Sequence, residues 1–315
     1  MAGNLIIKFK QGDIWLDNIP LCTLEQITRA EAVIEAEYPK LANLLSSGHV
    51  WREGKALHGV LAQKVGQEIL QELGFKSNDP NSRLILFIGR YHDLGRIIDA
   101  LQRDRKPIPP QFKTLANHGA FSVQVLKDWH IIDGIFEHDA SSLISYAITH
   151  HVDNLIPTLP DNPTRSEQIR YIILSLVRDM DKLANFQGKT WKYLYDGDEI
   201  AKQTRIVQEM LWQDYQIKYE GCSNSIPTPV IDRFCQQEVL VHQDCTTYEA
   251  YMLYFLSWIF DLNLTSVLQR VVDSYAIYIL LNWFAIRLER SQADEIQRTV
   301  VAYFKSTGVV LEPSF

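Results

Sequence analysis

Helical periodicity dominates this chain, with apolar residues recurring every three or four positions along most of its length. No succession of short alternating segments joined by hairpin turns appears, as a β-rich fold would require. The chain is therefore predicted to have an all-α fold. Because 46% of its 315 residues are apolar, it can bury a sizeable core.

The first helix is predicted to start after Thr23, because Thr23 and Gln26 have the spacing of a capping box. Pro39 is expected to end or kink this helix. Further helices are predicted at residues 54–74, 82–98, 113–130, 140–152 and 165–187. Segments rich in proline or asparagine separate several of them, at residues 78–81, 107–110 and 157–163.

Two regions are distinguished along the chain. Residues 1–190 are predicted to form the main domain, including an N-terminal helical segment, and residues 191–315 a helical extension packed on it. The extension contains two very apolar stretches, residues 251–264 and 275–288. Each is about 14 residues long, short of the roughly 20 that a membrane-spanning helix needs. They are predicted to be buried core helices, and no membrane partner is expected.

Charge and cysteine content limit the partners and the compartment. A net charge of −7 argues against a broad nucleic-acid surface, which would need clustered lysine and arginine. A small anionic substrate is still compatible, because a metal ion can supply local positive charge. The four cysteines form no CxxC pair, and the N-terminus has no signal-peptide pattern. We expect reduced thiols in a cytoplasmic protein.

The dipeptide His92-Asp93 follows a stripe of apolar residues at helical spacing, so the pair is expected at the edge of a buried face. Neighbouring residues of a helix point about 100° apart, which lets an imidazole and a carboxylate reach one cation from the same turn. For a single such pair, a buried histidine hydrogen-bonded to its neighbouring acid is the favoured explanation.

Other polar residues repeat this pattern, because each shares a helix face with apolar residues and is expected to face the core. They are His58, His118, His151 and Asp181. A core-facing polar group without a partner costs on the order of several kcal/mol in lost solvation. One shared metal centre would satisfy all of them.

The order His, His-Asp, His, His-His, Asp resembles the HD superfamily of metal-dependent phosphohydrolases. The matching segments are ALHGVLAQKVG with His58, RYHDLGR with His92 and Asp93, NHGAFS with His118, ITHHVD with His150 and His151, and RDMDKLAN with Asp181. The resemblance covers about residues 50–190. It implies an HD-domain helical bundle and leaves the last third of the chain unexplained.

The resemblance also implies roles for particular residues. The implied ligands of a divalent Mn, Fe, Co, Ni, Zn or Mg ion are His58, His92, Asp93 and Asp181. The implied catalytic or substrate-binding residues are His118, His150, His151, Lys182 and Asn185. It stays open whether the three additional histidines provide a second metal position or hold the substrate. Asp179 is a rival to Asp181, since residues two apart in a helix diverge by about 200° and only one should face the metal.

The substrate implied is a small phosphoester, such as a nucleotide. The DKLAN segment is similar to the DKLxN form of alarmone hydrolases, in which the asparagine lies near the substrate, whereas HHVDNLIPTLP lacks the Gly-Tyr-Pro segment of the HD-GYP branch. Candidates for holding a phosphate are Arg52, Arg90, Arg96 and Lys182. The alternative is a nucleotide-sensing module that keeps the metal cage without turnover. The complete ligand set favours the enzyme, because a sensor could lose a ligand and still bind.

Overall fold

The computed structural model describes residues 5–9, 12–16, 20–46, 49–153, 155–190 and 225–311. Two short strands come first, β1 (Leu5–Phe9) and β2 (Gly12–Leu16), and they pair in a two-stranded sheet. The sequence analysis did not predict these strands. All other regular elements in the described ranges are helices, so the all-α fold class is confirmed.

Seven α-helices follow the strands, up to residue 190. They are α1 (Leu24–Ala42), α2 (Val50–Glu72), α3 (Pro80–Tyr91), α4 (Arg96–Arg103), α5 (His118–Asp128), α6 (His138–His150) and α7 (Arg165–Thr190). Helices occur in every region where periodicity predicted one, although several boundaries differ by a few residues.

Helix α1 begins as predicted. The Thr23 hydroxyl accepts a hydrogen bond from the Gln26 backbone N–H at 3.1 Å, and Gln26 Oε1 accepts one from the Thr23 N–H at 2.8 Å. This reciprocal pair satisfies two backbone donors that have no partner within the helix. The helix continues past Pro39 to Ala42. Pro39 therefore lies in the last turn, where its missing N–H removes only one helical hydrogen bond.

The single helix predicted at residues 82–98 is wrong, because the segment forms two helices. Helix α3 ends at Tyr91 and α4 begins at Arg96, which leaves His92 to Gly95 in a turn. The Gly95 N–H donates to Ser122 Oγ at 2.8 Å instead of to a carbonyl one turn earlier. Periodicity could not show this break, since the apolar spacing runs through the turn. His92 and Asp93 thus lie in the turn that follows α3 and not inside one continuous helix.

Two glycines let the elements around this turn approach closely. A Cβ atom at Gly59 in α2 would lie 2.2 Å from the carbonyl oxygen of Arg90 in α3. A Cβ atom at Gly95 would lie 2.3 Å from the carbonyl oxygen of His118 in α5. Both distances are far below van der Waals contact, so only glycine allows the backbones to meet here. The elements that carry His58, His92 and His118 are brought together in this way.

Five more α-helices lie in the described part of the last third, residues 225–311. They are α8 (Thr228–Cys235), α9 (Tyr248–Ser257), α10 (Thr265–Asp273), α11 (Ala276–Arg287) and α12 (Arg290–Ser306). The apolar stretch at 251–264 is mainly buried, as predicted. The stretch at 275–288 is buried on one face only, because Ile286 is 74% exposed. Among the helices described, none combines the length and the apolar character that crossing a bilayer requires.

The chain divides into two compact units. The first comprises Met1–Ile7 and Asp13–Ala184, and the second Lys8–Gly12 and Asn185–Phe315. The division falls inside α7, close to the predicted boundary at residue 190. Residues 191–224 of the predicted extension lie outside the described residues, and its packing on the main domain stays a prediction.

Candidate metal centre

Most of the polar residues singled out in the sequence come together in the first unit, from separate elements. They are His58 in α2, His92 and Asp93 in the turn after α3, His118 at the start of α5, His151 directly after α6, and Asp181 in α7. His92 is fully buried, and His58, Asp93 and His151 are each at most 6% exposed. Ionisable groups buried to this extent need partners, so their mutual contacts define the site.

The first group of ligand atoms is formed by His58, His92 and Asp93, whose atoms all lie within 4.8 Å of one another. Asp181 adds a second carboxylate, with Oδ1 at 2.8 Å from His58 Nε2 and 3.4 Å from His92 Nε2. Two imidazoles and two carboxylates form a donor set suited to a divalent first-row metal ion. These are the four residues predicted as metal ligands.

A second group consists of Asp93, His118 and His151, again with ligand atoms within 4.8 Å of one another. Asp93 Oδ1 lies 3.3 Å from His118 Nε2 and 3.6 Å from His151 Nε2. The two imidazole nitrogens are 3.2 Å apart. Asp93 belongs to both groups, so the two potential metal positions are adjacent and share one carboxylate.

Backbone carbonyls fix the tautomer of two of these histidines. His92 Nδ1 donates to the Gly89 carbonyl at 2.7 Å, and His151 Nδ1 donates to the Ile148 carbonyl at 2.6 Å. The Nε2 atoms of both rings then carry lone pairs directed into the cluster, as metal-binding histidines require. His92 Nε2 is buried without a hydrogen-bond partner among the described residues. It faces the Asp181 and Asp93 carboxylates at 3.4 and 3.7 Å, so a positive charge is needed between them.

The protonation states of the cluster also suit a cation. Burial lowers the pKa of His58, His118 and His151, which favours neutral imidazoles. Burial alone would raise the pKa of Asp93, yet Lys55, His92 and Arg96 hold it well below the usual value. Burial also lowers the pKa of His92, but the Asp93 and Asp181 carboxylates outweigh this effect and raise it. These carboxylates therefore favour a positive charge at His92 Nε2, which is a proton without metal and which a bound cation would replace. Burial would likewise raise the pKa of Asp181, yet His58 and His92 hold it well below the usual value. Both carboxylates are thus ionised at neutral pH, the state in which they bind metal ions.

Two cations border the cluster. Lys55 Nζ lies 2.8 Å from Asp93 Oδ2, and Arg96 Nε lies 3.4 Å from Asp93 Oδ1. Arg96 was among the candidates for phosphate binding, whereas Lys55 was missed. Lys55 precedes His58 by three residues in α2, so the two share one helix face. This three-residue spacing from His58 could have indicated Lys55 from the sequence.

The remaining basic candidates have other surroundings. The Arg52 guanidinium donates to Asn43 Oδ1 at 2.7 Å and that of Arg90 to Gln63 Oε1 at 3.2 Å, so both side chains are engaged away from the cluster. Lys182 is buried in α7 beside Asp181. Asn185 follows one turn later, at the start of the second unit. The roles predicted for Lys182 and Asn185 stay predictions.

The adjacent histidines His150 and His151 have different environments. His151 belongs to the cluster, but the His150 side chain is 38% exposed. Its Nδ1 lies 2.6 Å from Asp153 Oδ2, and its ring packs on Tyr146 at a centroid distance of 4.6 Å. The structure therefore does not bring His150 together with the six other histidine and aspartate positions of the site.

Two buried side chains hold the backbone around the cluster. The Ser122 hydroxyl lies 2.7 Å from the His92 carbonyl oxygen and 2.9 Å from that of His118, and it accepts from the Gly95 N–H. Arg178 donates to the carbonyls of His150 and His151 at 3.2 and 2.9 Å. Ser122 thus joins the His92–Gly95 turn to α5, and Arg178 fixes the end of α6.

Comparison with known proteins identifies the family. Residues 58–185 match the family model described as the HD domain. This part of the chain is an HD domain. The match begins at the first histidine of the cluster and ends just after Asp181, so it contains every proposed ligand. No curated protein and no solved structure matches the chain. The superfamily consists of metal-dependent phosphohydrolases, and the cluster described above is a site that could hold their metal.

Proposed function

We propose that this HD protein is a metal-dependent phosphohydrolase that acts on a nucleotide or a related small phosphoester. The observation that carries the proposal is His92 Nε2, a buried lone pair directed by the Gly89 carbonyl towards the Asp93 and Asp181 carboxylates. A bound divalent ion supplies the acidity that makes water nucleophilic at neutral pH and draws charge from the phosphoryl oxygen.

The four residues His58, His92, Asp93 and Asp181 would hold this ion, and the donor types suit Mn, Fe, Co, Ni, Zn or Mg. Lys55 places a positive charge beside Asp93 Oδ2, and Arg96 places one beside Asp93 Oδ1. A phosphate group that approached Asp93 would meet both cations, and the Arg96 guanidinium is held in place by a further bond from Nη1 to Asp99 Oδ2 at 3.2 Å. We assign the orientation of the substrate phosphate to this pair.

His118 and His151 could have either of two roles in this site. With Asp93 they provide three donors for a second cation, which would clamp the other side of the reacting phosphate. Around a single ion they would instead hold phosphate oxygens or stabilise the leaving group. We propose the second cation position, because Asp93 Oδ1 faces both imidazoles within 3.6 Å.

Turnover is tested with metal-loaded protein and a panel of mono-, di-, tri- and cyclic nucleotides, with Mn or Co added. We expect bound metal and release of phosphate or nucleoside from at least one compound. Inactivity of metal-replete protein across the whole panel would indicate a nucleotide sensor instead. The cytoplasmic location is part of this proposal, and it is supported by Cys22, Cys235 and Cys245, which form no disulfide.

The adjacent histidines provide a matched pair of variants for this assay. We expect His151→Ala to lower kcat/KM by more than about tenfold, the lower end of the effects seen when metal-site residues are removed. His150→Ala should change it by less than about threefold, since His150 is partly exposed and bonded to Asp153. Equal losses in the two variants would show that His150 also acts in the reaction.

A further inference from the structure

The Ser122 hydroxyl takes the place of the hydrogen bond that commonly closes a turn like the one after α3. In a four-residue turn, the carbonyl of the first residue often accepts a hydrogen bond from the N–H of the fourth. Here Ser122 Oγ lies between these two groups, because it accepts from the Gly95 N–H at 2.8 Å and donates to the His92 carbonyl at 2.7 Å. A side chain of α5 therefore closes the turn that contains Asp93.

The same hydroxyl also contacts the second group of ligand residues. Ser122 follows His118 by four residues in α5, and its Oγ lies 2.9 Å from the His118 carbonyl oxygen. A hydroxyl has one proton to donate, so the carbonyls of His92 and His118 share it. One side-chain atom is thus within hydrogen-bond distance of the backbone of one ligand residue in each group.

Close backbone packing surrounds this contact. Ser122 is fully buried, and a Cβ atom at Gly95 would lie 2.5 Å from the Ser122 backbone nitrogen. Without the hydroxyl, the Gly95 N–H and the His92 carbonyl would be buried polar groups that have lost a partner, which costs free energy. They can pair with each other only if the turn tightens, and Asp93, which lies in the turn, would then move.

The two cation positions depend on this turn to different extents. In the first position, two of the ligands belong to α2 and α7, and the His92 ring is held by the Gly89 carbonyl of α3. In the second position, Asp93 Oδ1 must face His118 and His151 from the turn, at 3.3 and 3.6 Å. A shift of the turn against α5 therefore changes the geometry of the second position most.

We propose that Ser122 is a positioning residue for the second cation, because its hydroxyl sets the distance between the Asp93 carboxylate and the imidazoles of His118 and His151. The inference rests on the second cation position of the proposed function, but not on turnover. Loss of a residue that orients metal ligands typically weakens metal binding by about 10- to 100-fold. Removal of this hydroxyl should weaken the second cation by such a factor and leave the first nearly unaffected.

Binding of Mn to the full chain, followed by calorimetric titration and by EPR, tests this role. The wild type should bind two ions per chain, and their EPR signals should show spin coupling, as expected for ions about 3.5 to 4 Å apart. Ser122→Ala should raise the Kd of the second ion by about 10- to 100-fold and that of the first by less than about threefold. The coupled signal should be lost at a Mn concentration that saturates the wild type. Ser122→Cys keeps a weak donor and acceptor and should give an intermediate second Kd.

Ser257→Ala is the matched control, because Ser257 is equally buried and its hydroxyl also joins two backbone groups. In the second unit, it accepts from the Leu240 N–H at 3.1 Å and donates to the Tyr254 carbonyl at 2.6 Å. Both alanine variants should lose similar stability in thermal unfolding, but only Ser122→Ala should change Mn binding. Ser122→Cys provides the same comparison if Ser122→Ala does not fold.

The outcomes separate this role from the proposed catalysis. A wild type that binds one Mn ion, or an unchanged second Kd in Ser122→Ala, would overturn the positioning role even if nucleotides were hydrolysed. Equal weakening of both ions in Ser122→Ala, or the same change of the second Kd in Ser257→Ala, would also overturn it. Two coupled ions whose second Kd depends on Ser122, in a protein that hydrolyses no nucleotide, would support the positioning role and refute the catalysis.

Discussion

The Asp93 carboxylate divides its contacts between two sides. Its Oδ1 faces His118 and His151, and its Oδ2 lies 2.8 Å from Lys55 and 3.7 Å from His92. A carboxylate placed between two groups of imidazoles can bridge two cations, whereas each histidine serves only one side. The residue that joins the two groups is thus expected to matter most for metal content.

Metal content of single variants tests this arrangement. Asp93→Asn should lose nearly all bound metal, since it removes a charged donor from both positions, while His118→Ala should lose only the second ion. Elemental analysis of proteins saturated with Mn and then desalted gives the count per chain. If wild type and His118→Ala both retain one ion while activity falls in the variant, His118 belongs to the substrate and the second position does not exist.

Asp179 and Asp181 provide a second test at single residues. Asp181 Oδ1 contacts His58 and His92, whereas Asp179 is fully buried two residues earlier in the same helix. Asp181→Ala should therefore remove bound metal. Asp179→Ala should keep the metal and lower the free energy of unfolding, because it disturbs the buried side of α7. The reverse pattern in the metal analysis would transfer the ligand role to Asp179.

At the level of elements, the end of α6 decides where His151 lies. The last carbonyls of a helix have no partners within it, and a cation near them is favourable. Arg178 of α7 meets this need from the interior, because it is only 2% exposed and donates to the carbonyls of His150, His151 and Asp153. One buried guanidinium thereby couples α7, which carries Asp181, to the segment that carries His151.

Replacing this guanidinium should reduce both stability and metal binding. Arg178→Met removes the partner of one buried carbonyl, that of His151, and of two part-buried carbonyls, those of His150 and Asp153, which water can reach. A buried group left unpaired costs about 1 to 3 kcal/mol, so we expect a total loss of about 2 to 4 kcal/mol in urea unfolding. Arg170→Met is the control. Arg170 donates to Ser142 and lies over the Tyr146 ring in a partly exposed position, so its loss should cost less than about 1 kcal/mol. Equal losses would mean that Arg178 is not the anchor of α6.

For the whole molecule, the ligands come from segments that are far apart in the chain, from residue 58 to residue 181. An ion that binds them stabilises the folded state alone, because the unfolded chain does not assemble the site. At a metal concentration of 100 times Kd this linkage is worth about 2.7 kcal/mol. The bound metal ion should therefore stabilise the first unit against unfolding.

Removal of metal should be visible in thermal unfolding. In a unit of this size, a loss of about 1 kcal/mol in the free energy of unfolding lowers Tm by about 2 to 4 °C. Removal of the ion should therefore lower Tm by about 5 to 10 °C. Differential scanning calorimetry before and after dialysis against EDTA measures the change, and re-addition of Mn should reverse it. Asp93→Asn is expected to have a Tm that does not respond to EDTA. A wild-type Tm that is equally insensitive would contradict metal binding at this site.

Several features follow from local sequence and were predictable. The capping box of Thr23 and Gln26 acts within one turn, so the start of α1 is correct. The polar residues His58, His118, His151 and Asp181 were recognised because each interrupts an apolar helix face, and this reasoning needs no knowledge of the partner helix. Apolar periodicity likewise predicted the helical fold, since burial of one face is a property of each helix by itself.

Other features depend on contacts between distant segments. The turn at His92–Gly95 exists because Ser122 takes the Gly95 N–H, and α3 and α4 have no local signal for a break between them. Adjacent helical positions differ by about 100°, so periodicity favoured His151 over His150 as the core-facing residue, but it could not show that His151 lies beside Asp93. The contact of Lys55 with Asp93 joins residues 38 positions apart. Periodicity carries no information about such pairs, because it describes each helix before its neighbours are placed.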